Sequence, residues 1–277
     1  MTTLLISTRN QHKAREIQQL LGGDFQCLTL NDFPDAPNAV EDGATFAANA
    51  AKKVLSLADW LPSDTGRARL RRALTSPADC SVLTPLRDQE SPSILHPPPS
   101  ILALHILADD SGLEVDSLDG APGVHSARFA ASDAAAEANS PDHANNTKLL
   151  RLLQDIPLPR RTARFRCVLA LRQLSLQMDQ PPSLAKVERA TSLSGVERAT
   201  RPSRLATRQP ASSIIFFEGV CEGRIALQPA GVGGFGYDPL FIPDGFAQSF
   251  AELGDAIKNT LSHRARALQK LRDHLAS

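Results

Sequence analysis

The chain has 277 residues, with 30 basic and 30 acidic side chains that leave no formal net charge at neutral pH. That length can bury a substantial core, as one large domain or two small ones, and the cancelled charge excludes a global field drawing the chain to nucleic acid or a membrane surface. Its four cysteines, Cys27, Cys80, Cys167 and Cys221, contain no C-x-x-C pair, so the pattern signals reduced thiols and not a zinc site or disulfide framework.

The first residues carry no basic run ahead of their short apolar stretch, and no later apolar run is long enough to cross a bilayer, so a soluble cytoplasmic protein is expected. Leu4-Leu5-Ile6 reads as a short buried strand. Ala14, Ile17, Leu20 and Leu21 then share one helical face before Gly22-Gly23 ends the helix. The loop between, Ser7 to Lys13, sits where backbone N–H groups and a helix N-terminus face outward, a geometry that attracts phosphate. No G-x-x-x-x-G-K-[ST] occurs, so by itself the segment also reads as an ordinary polar turn. Glu41-Asp42-Gly43 precedes a Pro-free helix with Phe46, Ala50, Val54 and Leu57 on one side. The two acids there read as capping and dipole groups, and Asn49 lies about one turn inside, facing a cleft or solvent.

Ile101, Leu102, Leu104, Ile106 and Leu107 form a buried strand expected to stop at Asp109-Asp110-Ser111-Gly112, where adjacent carboxylates and a hydroxyl enter a loop. Leu113-Glu114-Val115-Asp116 alternates like a second, half-buried strand before the turn at Asp119 to Gly123. A modest helix over 144–154 and a strand over 165–171 follow. Ile214 to Cys221 resumes the sheet, with Gly223 to Leu227 expected to pair against it. Two segments, 61–100 and 175–210, hold eleven of the twenty prolines and lack sustained periodicity. Both are expected to be loop insertions with poor packing, the second carrying the short repeat Val187–Thr200, so that 1–277 is a single domain.

Gly231-Val232-Gly233-Gly234-Phe235-Gly236 matches G-x-G-x-x-G, but the prolines Pro239 and Pro243 that follow forbid the helix a dinucleotide site requires. The glycines instead allow close approach to a flat ligand, with Phe235 or Tyr237 stacking on it, or form a bulge between strands. Ser262 is a credible N-cap for a final helix through Leu268, Leu271 and Leu275. The cap puts His263 and Arg264 in the first turn, where a cation is disfavoured unless an anion or polar ligand is near.

Taken in order, Thr8-x-x-x-x-Lys13, Glu41-Asp42-Gly43-Ala44-Thr45-Phe46, Ala108 to Val115, Gly120-Ala121-Pro122-Gly123-Val124 through Ser126-Ala127-Arg128, Gly233 to Pro239 and Ser262-His263-Arg264 form six blocks. In this order the chain resembles the inosine/xanthosine triphosphate pyrophosphatase family. The resemblance implies an elongated mixed α/β sheet with flanking helices in two lobes around a nucleotide cleft. It also implies Mg²⁺-dependent hydrolysis of ITP, dITP and XTP to monophosphate and pyrophosphate by a cytoplasmic homodimer. It assigns Asp110 as proton acceptor for the attacking water and Glu41 and Asp110 as metal ligands, with Asp109 a candidate helper. Substrate contacts would come from Thr8, Arg9, Asn10, Gln11, His12, Lys13 and Ser111. Around the base stand Phe235, Gly236, Tyr237, Asp238, Lys258, His263 and Arg264. A nucleotide-binding protein without turnover and a phosphohydrolase of other modified triphosphates are the alternatives. A donor to O6 would separate ITP from ATP, whereas exclusion of GTP needs a penalty at its 2-amino group that no residue announces.

Overall fold

The computed structural model describes residues 2–75, 100–131, 139–178 and 213–277. Strand β1 (Thr2–Ile6) leads through helix α1 (Gln11–Leu21) to β2 (Phe25–Thr29). Helices α2 (Phe46–Trp60) and α3 (Asp64–Thr75) come next, and the long strand β3 (Ser100–Val115) follows. Then come α4 (Asp142–Leu152), β4 (Thr162–Met178), β5 (Ile215–Ile225), β6 (Phe241–Pro243), α5 (Phe250–Leu261) and α6 (His263–Ala276). The strands form one sheet in the order β2-β1-β3-β4-β5-β6. β1 runs parallel to both β2 and β3, and the remaining pairs are antiparallel. The chain therefore leaves β1 toward β2 on one side and returns to β3 on the other. The loop after Ile6 opens into the crevice at this switch point, where open α/β sheets bind ligands.

β3 is continuous through Asp109-Asp110-Ser111-Gly112, which corrects the expected end of the strand there. Every residue from Ser100 to Val115 has a partner on β4, so the carboxylates stand in mid-sheet and not in a loop. Gly112 stays in the ladder because a side chain there would come within 2.5 Å of the Gly123 carbonyl and the Ser126 hydroxyl. β5 is likewise one strand from Ile215 to Ile225, paired with β4 and β6, and not two strands paired with each other. At Gly219 a Cβ would lie 2.0 Å from the His263 carbonyl, so this glycine lets the first turn of α6 settle on the sheet.

Three apolar clusters surround that mid-sheet polar interval. Leu104, Ile106 and Ala108 of β3 pack with Ala50, Val54 and Leu57 of α2. On the other face Leu107 joins Ile17 and Leu21 of α1 with Ala267, Leu268 and Leu271 of α6. Beyond the interval Leu113 and Val115 join Leu149 of α4, Phe241 and Phe250. β3 thus changes hydrophobic clusters where its carboxylates stand, leaving a polar gap between two packed ends.

Part of the first expected insertion is ordered helix. α3 follows α2 after a short turn, and Leu61 and Leu70 are both fully buried against the α2 cluster. The Arg-rich remainder hides the pattern: Arg69 pairs with Asp35 at 2.5 Å and Arg67 with Asp64 at 2.8 Å. Residue 100 belongs to β3 and residues 175–178 to β4. The rest of the two expected insertions, 76–99 and 179–210, and Cys80 lie outside the described residues. Among the described residues no helix is long and apolar enough to cross a membrane, and Cys27, Cys167 and Cys221 are free thiols.

Candidate active site

Alternation along β3 sends its two carboxylates to opposite faces of the sheet. Asp110 points toward α2. Its Oδ1 accepts from Lys53 Nζ at 2.8 Å and its Oδ2 from Asn49 Nδ2 at 3.2 Å. Asn49 is fully buried, and its carboxamide oxygen accepts the Gly43 amide at 2.7 Å, tying the Glu41 loop to Asp110. Lys53 Nζ lies 2.9 Å from Glu41 Oε2, so one ammonium sits between the Glu41 and Asp110 carboxylates. Arg128 donates to the Glu41 carbonyl at 2.8 Å and fixes that loop from across the cleft. Thr45 caps α2 by accepting from Ala48 at 3.1 Å, which leaves Glu41 and Asp42 ahead of the cap and corrects their reading as capping groups.

Asp109 points toward α1 and α6 and is saturated. Lys13 Nζ at 2.8 Å and Ser111 Oγ at 2.9 Å donate to Oδ1. Arg264 Nε at 2.8 Å and Cys167 Sγ at 3.5 Å donate to Oδ2. Arg264 continues to Glu16 at 2.8 Å through Nη1 and to Ser111 Oγ at 2.9 Å through Nη2. With no exposed side-chain surface and all these donors, Asp109 is committed to this buried cluster, on the opposite face from Glu41 and Asp110.

The two carboxyls are driven in opposite directions. Burial opposes charge at Asp109, but Arg264 and Lys13 outweigh it and hold the group well below the usual carboxylate range. At Asp110 burial prevails over the attraction of Lys53 and Lys13, with Glu41 adding repulsion, and the pKa is raised. Burial also disfavours the Lys53 ammonium, yet Asp110 and Glu41 overcome it and raise the lysine.

A cleft of about 1170 Å³ is walled by Thr8, Asn10, Lys13, Glu41, Lys53 and Asp110, among others. A smaller chamber of about 140 Å³ adjoins it, sharing Asn10, Lys13 and Ser111 and reaching Phe235, Lys258 and Arg264. The structure therefore brings together most of the residues singled out in the sequence. Asn10 caps α1 by accepting the Lys13 amide at 3.1 Å. The Arg9 guanidinium is spent on the Leu30 and Ala36 carbonyls and on Asn38. Gln11 and His12 stand outside both cavity walls.

Around the smaller chamber, Asp238 accepts from Lys258 Nζ at 2.7 Å and from the Phe235 amide at 2.8 Å. Burial nevertheless raises the Asp238 pKa against these partners. Lys258 Nζ also lies 4.5 Å from the centroid of the Phe235 ring. The Tyr237 hydroxyl is turned away, donating to the Ser126 carbonyl at 2.9 Å. No helix follows the glycines, as the prolines required. Ser262 caps α6 as expected, accepting from Ala265 at 3.2 Å. His263 is buried and stacks on Phe165 with centroids 4.8 Å apart. Burial first, and then Arg264 and Lys258, push its pKa well down, and the cation in that first turn is Arg264, which meets the anions Asp109 and Glu16.

Sequence reading missed Lys53, Glu16, Arg128 and Cys167. For Lys53 a signal existed: Asn49 and Lys53 share the stripe of Phe46, Ala50, Val54 and Leu57, and polar groups in an apolar stripe need partners. Glu16 gives the same signal on α1 beside Ala14 and Ile17.

The sheet and cleft define an α/β protein with the Ser7–Lys13 loop at its switch point and a carboxylate–ammonium cluster beside it. The sequence profile of the Ham1 family matches residues 4–68 and 96–274. The chain belongs to that family. It is 36% identical over 276 residues to the dITP/XTP pyrophosphatase of Geobacter sulfurreducens, covering 99% of this chain and 97% of the relative. It is 33% identical to the dITP/XTP pyrophosphatase of Shouchella clausii, covering 99% of this chain and 96% of that one. The Ham1 protein structure from Coxiella burnetii superposes with a TM-score of 0.61 at 26% identity, covering 100% of this chain and 99% of the other.

Proposed function

We propose that this chain hydrolyses non-standard purine nucleoside triphosphates, dITP, XTP and ITP, to the monophosphate and pyrophosphate and so cleanses the nucleotide pool. Full-length similarity to dITP/XTP pyrophosphatases supports the substrate class. The observation that carries the chemistry is the Lys53 ammonium held between Glu41 and Asp110 in the cleft wall.

Two carboxylates already gathered around a cation suit a hard divalent ion, which takes one or two carboxylates with phosphate oxygens and water. Glu41 and Asp110 would hold Mg²⁺, which when bound neutralises phosphate charge and acidifies water. Asp110, whose raised pKa suits a proton acceptor, takes the proton as water oxygen bonds to the α-phosphorus. The bond from that phosphorus to the bridging oxygen breaks, and pyrophosphate leaves with the electron pair. Thr8, Asn10 and Lys13 bind the phosphates at the switch-point loop, and Lys53 balances charge beside them. Phe235 stacks on the base, with Lys258, His263 and Arg264 around it. The working unit is a cytoplasmic homodimer of single-domain subunits.

The test is pyrophosphate release with Mg²⁺ over ITP, dITP, XTP, GTP, ATP and dUTP. Selective release from the first three is expected. Equal turnover of ATP and ITP overturns the specificity, preference for dUTP indicates another modified triphosphate, and binding without release indicates a nucleotide-binding protein.

A further inference from the structure

Asp238 of the same loop ties down the backbone of Phe235, the ring assigned to the base, accepting its amide at 2.8 Å and donating to its carbonyl at 3.3 Å, and further contacts come from outside the loop. The next residue, Gly236, is held by α4 at both of its backbone polar groups: its amide donates to Asp142 Oδ2 at 2.6 Å, and its carbonyl accepts from Asn146 Nδ2 at 3.0 Å. Asn146 is 9% exposed and sits one helical turn below Asp142, so the two reach the consecutive peptides that flank the Gly236 Cα. The Phe235 ring itself stacks on His12, with centroids 5.4 Å apart and planes 22° from parallel. That spacing is too small for a purine between the rings, because each stacked layer needs about 3.5 Å of separation. Phe235 lines the smaller chamber with Lys258 and Arg264, whereas His12 does not. His12 therefore backs the ring from outside the chamber, though it lies one residue before Lys13 of the phosphate loop.

We propose that Asp142, Asn146 and His12 are positioning residues for base recognition, fixing Phe235 as a stacking platform without touching the phosphates. This rests on the reading of Phe235 as the base-binding ring. It also moves His12 from the phosphate end of the nucleotide to the base end. α4 anchors the clamp, since the neighbouring Asn145 side chain holds the Ala130 amide and the Ala127 and Ser140 carbonyls beside the helix.

The test compares wild type with N146A, D142A, D142N, H12A and H12F. It measures kcat and KM for ITP, and the inhibition constant of inorganic tripolyphosphate, which has no base. N146A and H12A should raise KM for ITP by about three- to tenfold, the range of one aromatic contact. Their kcat and tripolyphosphate constants should stay within about twofold of wild type. H12F restores the KM lost in H12A by replacing one flat ring with another, and D142N restores that lost in D142A by keeping an acceptor. Unchanged KM in N146A and H12A overturns the proposal, as does a tripolyphosphate constant that worsens in step with KM. If wild type releases no pyrophosphate from ITP, the functional reading fails on its own. The calorimetric affinity for IMP then decides the clamp, supported by a loss in N146A and H12A and overturned by its absence.

Discussion

The two faces of β3 carry neighbouring carboxylates with opposite assignments. On the α6 face Asp109 is closed in by Lys13, Ser111, Cys167 and Arg264 and held charged. On the α2 face Asp110 meets Lys53 and Asn49, lies in the wall of the large cleft, and is raised toward its protonated form. Side chains one residue apart thus stand in a saturated buried cluster and in a cleft wall because pleating gives each a different set of neighbours. The difference teaches that an acidic pair in a strand is two environments, and the proton acceptor proposed above is the carboxylate with fewer fixed donors.

The sharpest break of this contrast is Asp110→Asn. It should lower kcat for ITP by about 10²- to 10⁴-fold while leaving the urea midpoint near wild type. A kcat within a few-fold of wild type would remove Asp110 as the proton acceptor. The reciprocal change, Asp109→Asn, leaves Arg264 and Lys13 without their buried counter-charge and should cost roughly 3–5 kcal/mol of stability, read from urea unfolding. Equal stability in the two variants would mean that the α6-face cluster carries no extra stability.

A smaller effect tests the α6 face through pH. His263 has a folded pKa well below its ordinary 6.5, so between those values the unfolded chain binds a proton that the folded chain does not. Stability therefore falls as pH drops below about 6.5 toward the folded value, by at most about 1.4 kcal/mol per pH unit. His263→Phe, which keeps a ring against Phe165, should flatten the dependence of the unfolding free energy between about pH 6.5 and 5. An unchanged slope would show that His263 is not held neutral.

Much of the site was readable as residue types in order. The βα loop over Ser7–Lys13, the Glu41 block, the Asp109-Asp110 pair, the rejected dinucleotide fingerprint and the Ser262 cap each follow from local chemistry: apolar periodicity, proline's missing N–H, and the hydroxyl that a helix start needs. Less readable were continuity and partnership. β3 and β5 each read as two pieces, because Ser111-Gly112 and the Gly219–Gly223 region look like stops until β4 supplies partners through both stretches. α3 escaped notice because Leu70, its one fully buried large apolar residue, stands among arginines and no apolar stripe marks the helix.

By itself the sequence determined which chemical groups the protein carries and the short-range order in which they occur, since caps, turns and periodicities act over a few residues. Only the tertiary structure decided which group meets which. Glu16 and Arg264 meet across 248 residues, Asp109 and Arg264 across 155, and Asn49 and Asp110 across 61. Charge, burial and pKa depend on those meetings, and they separate Asp109 from Asp110, which in the sequence are adjacent and alike.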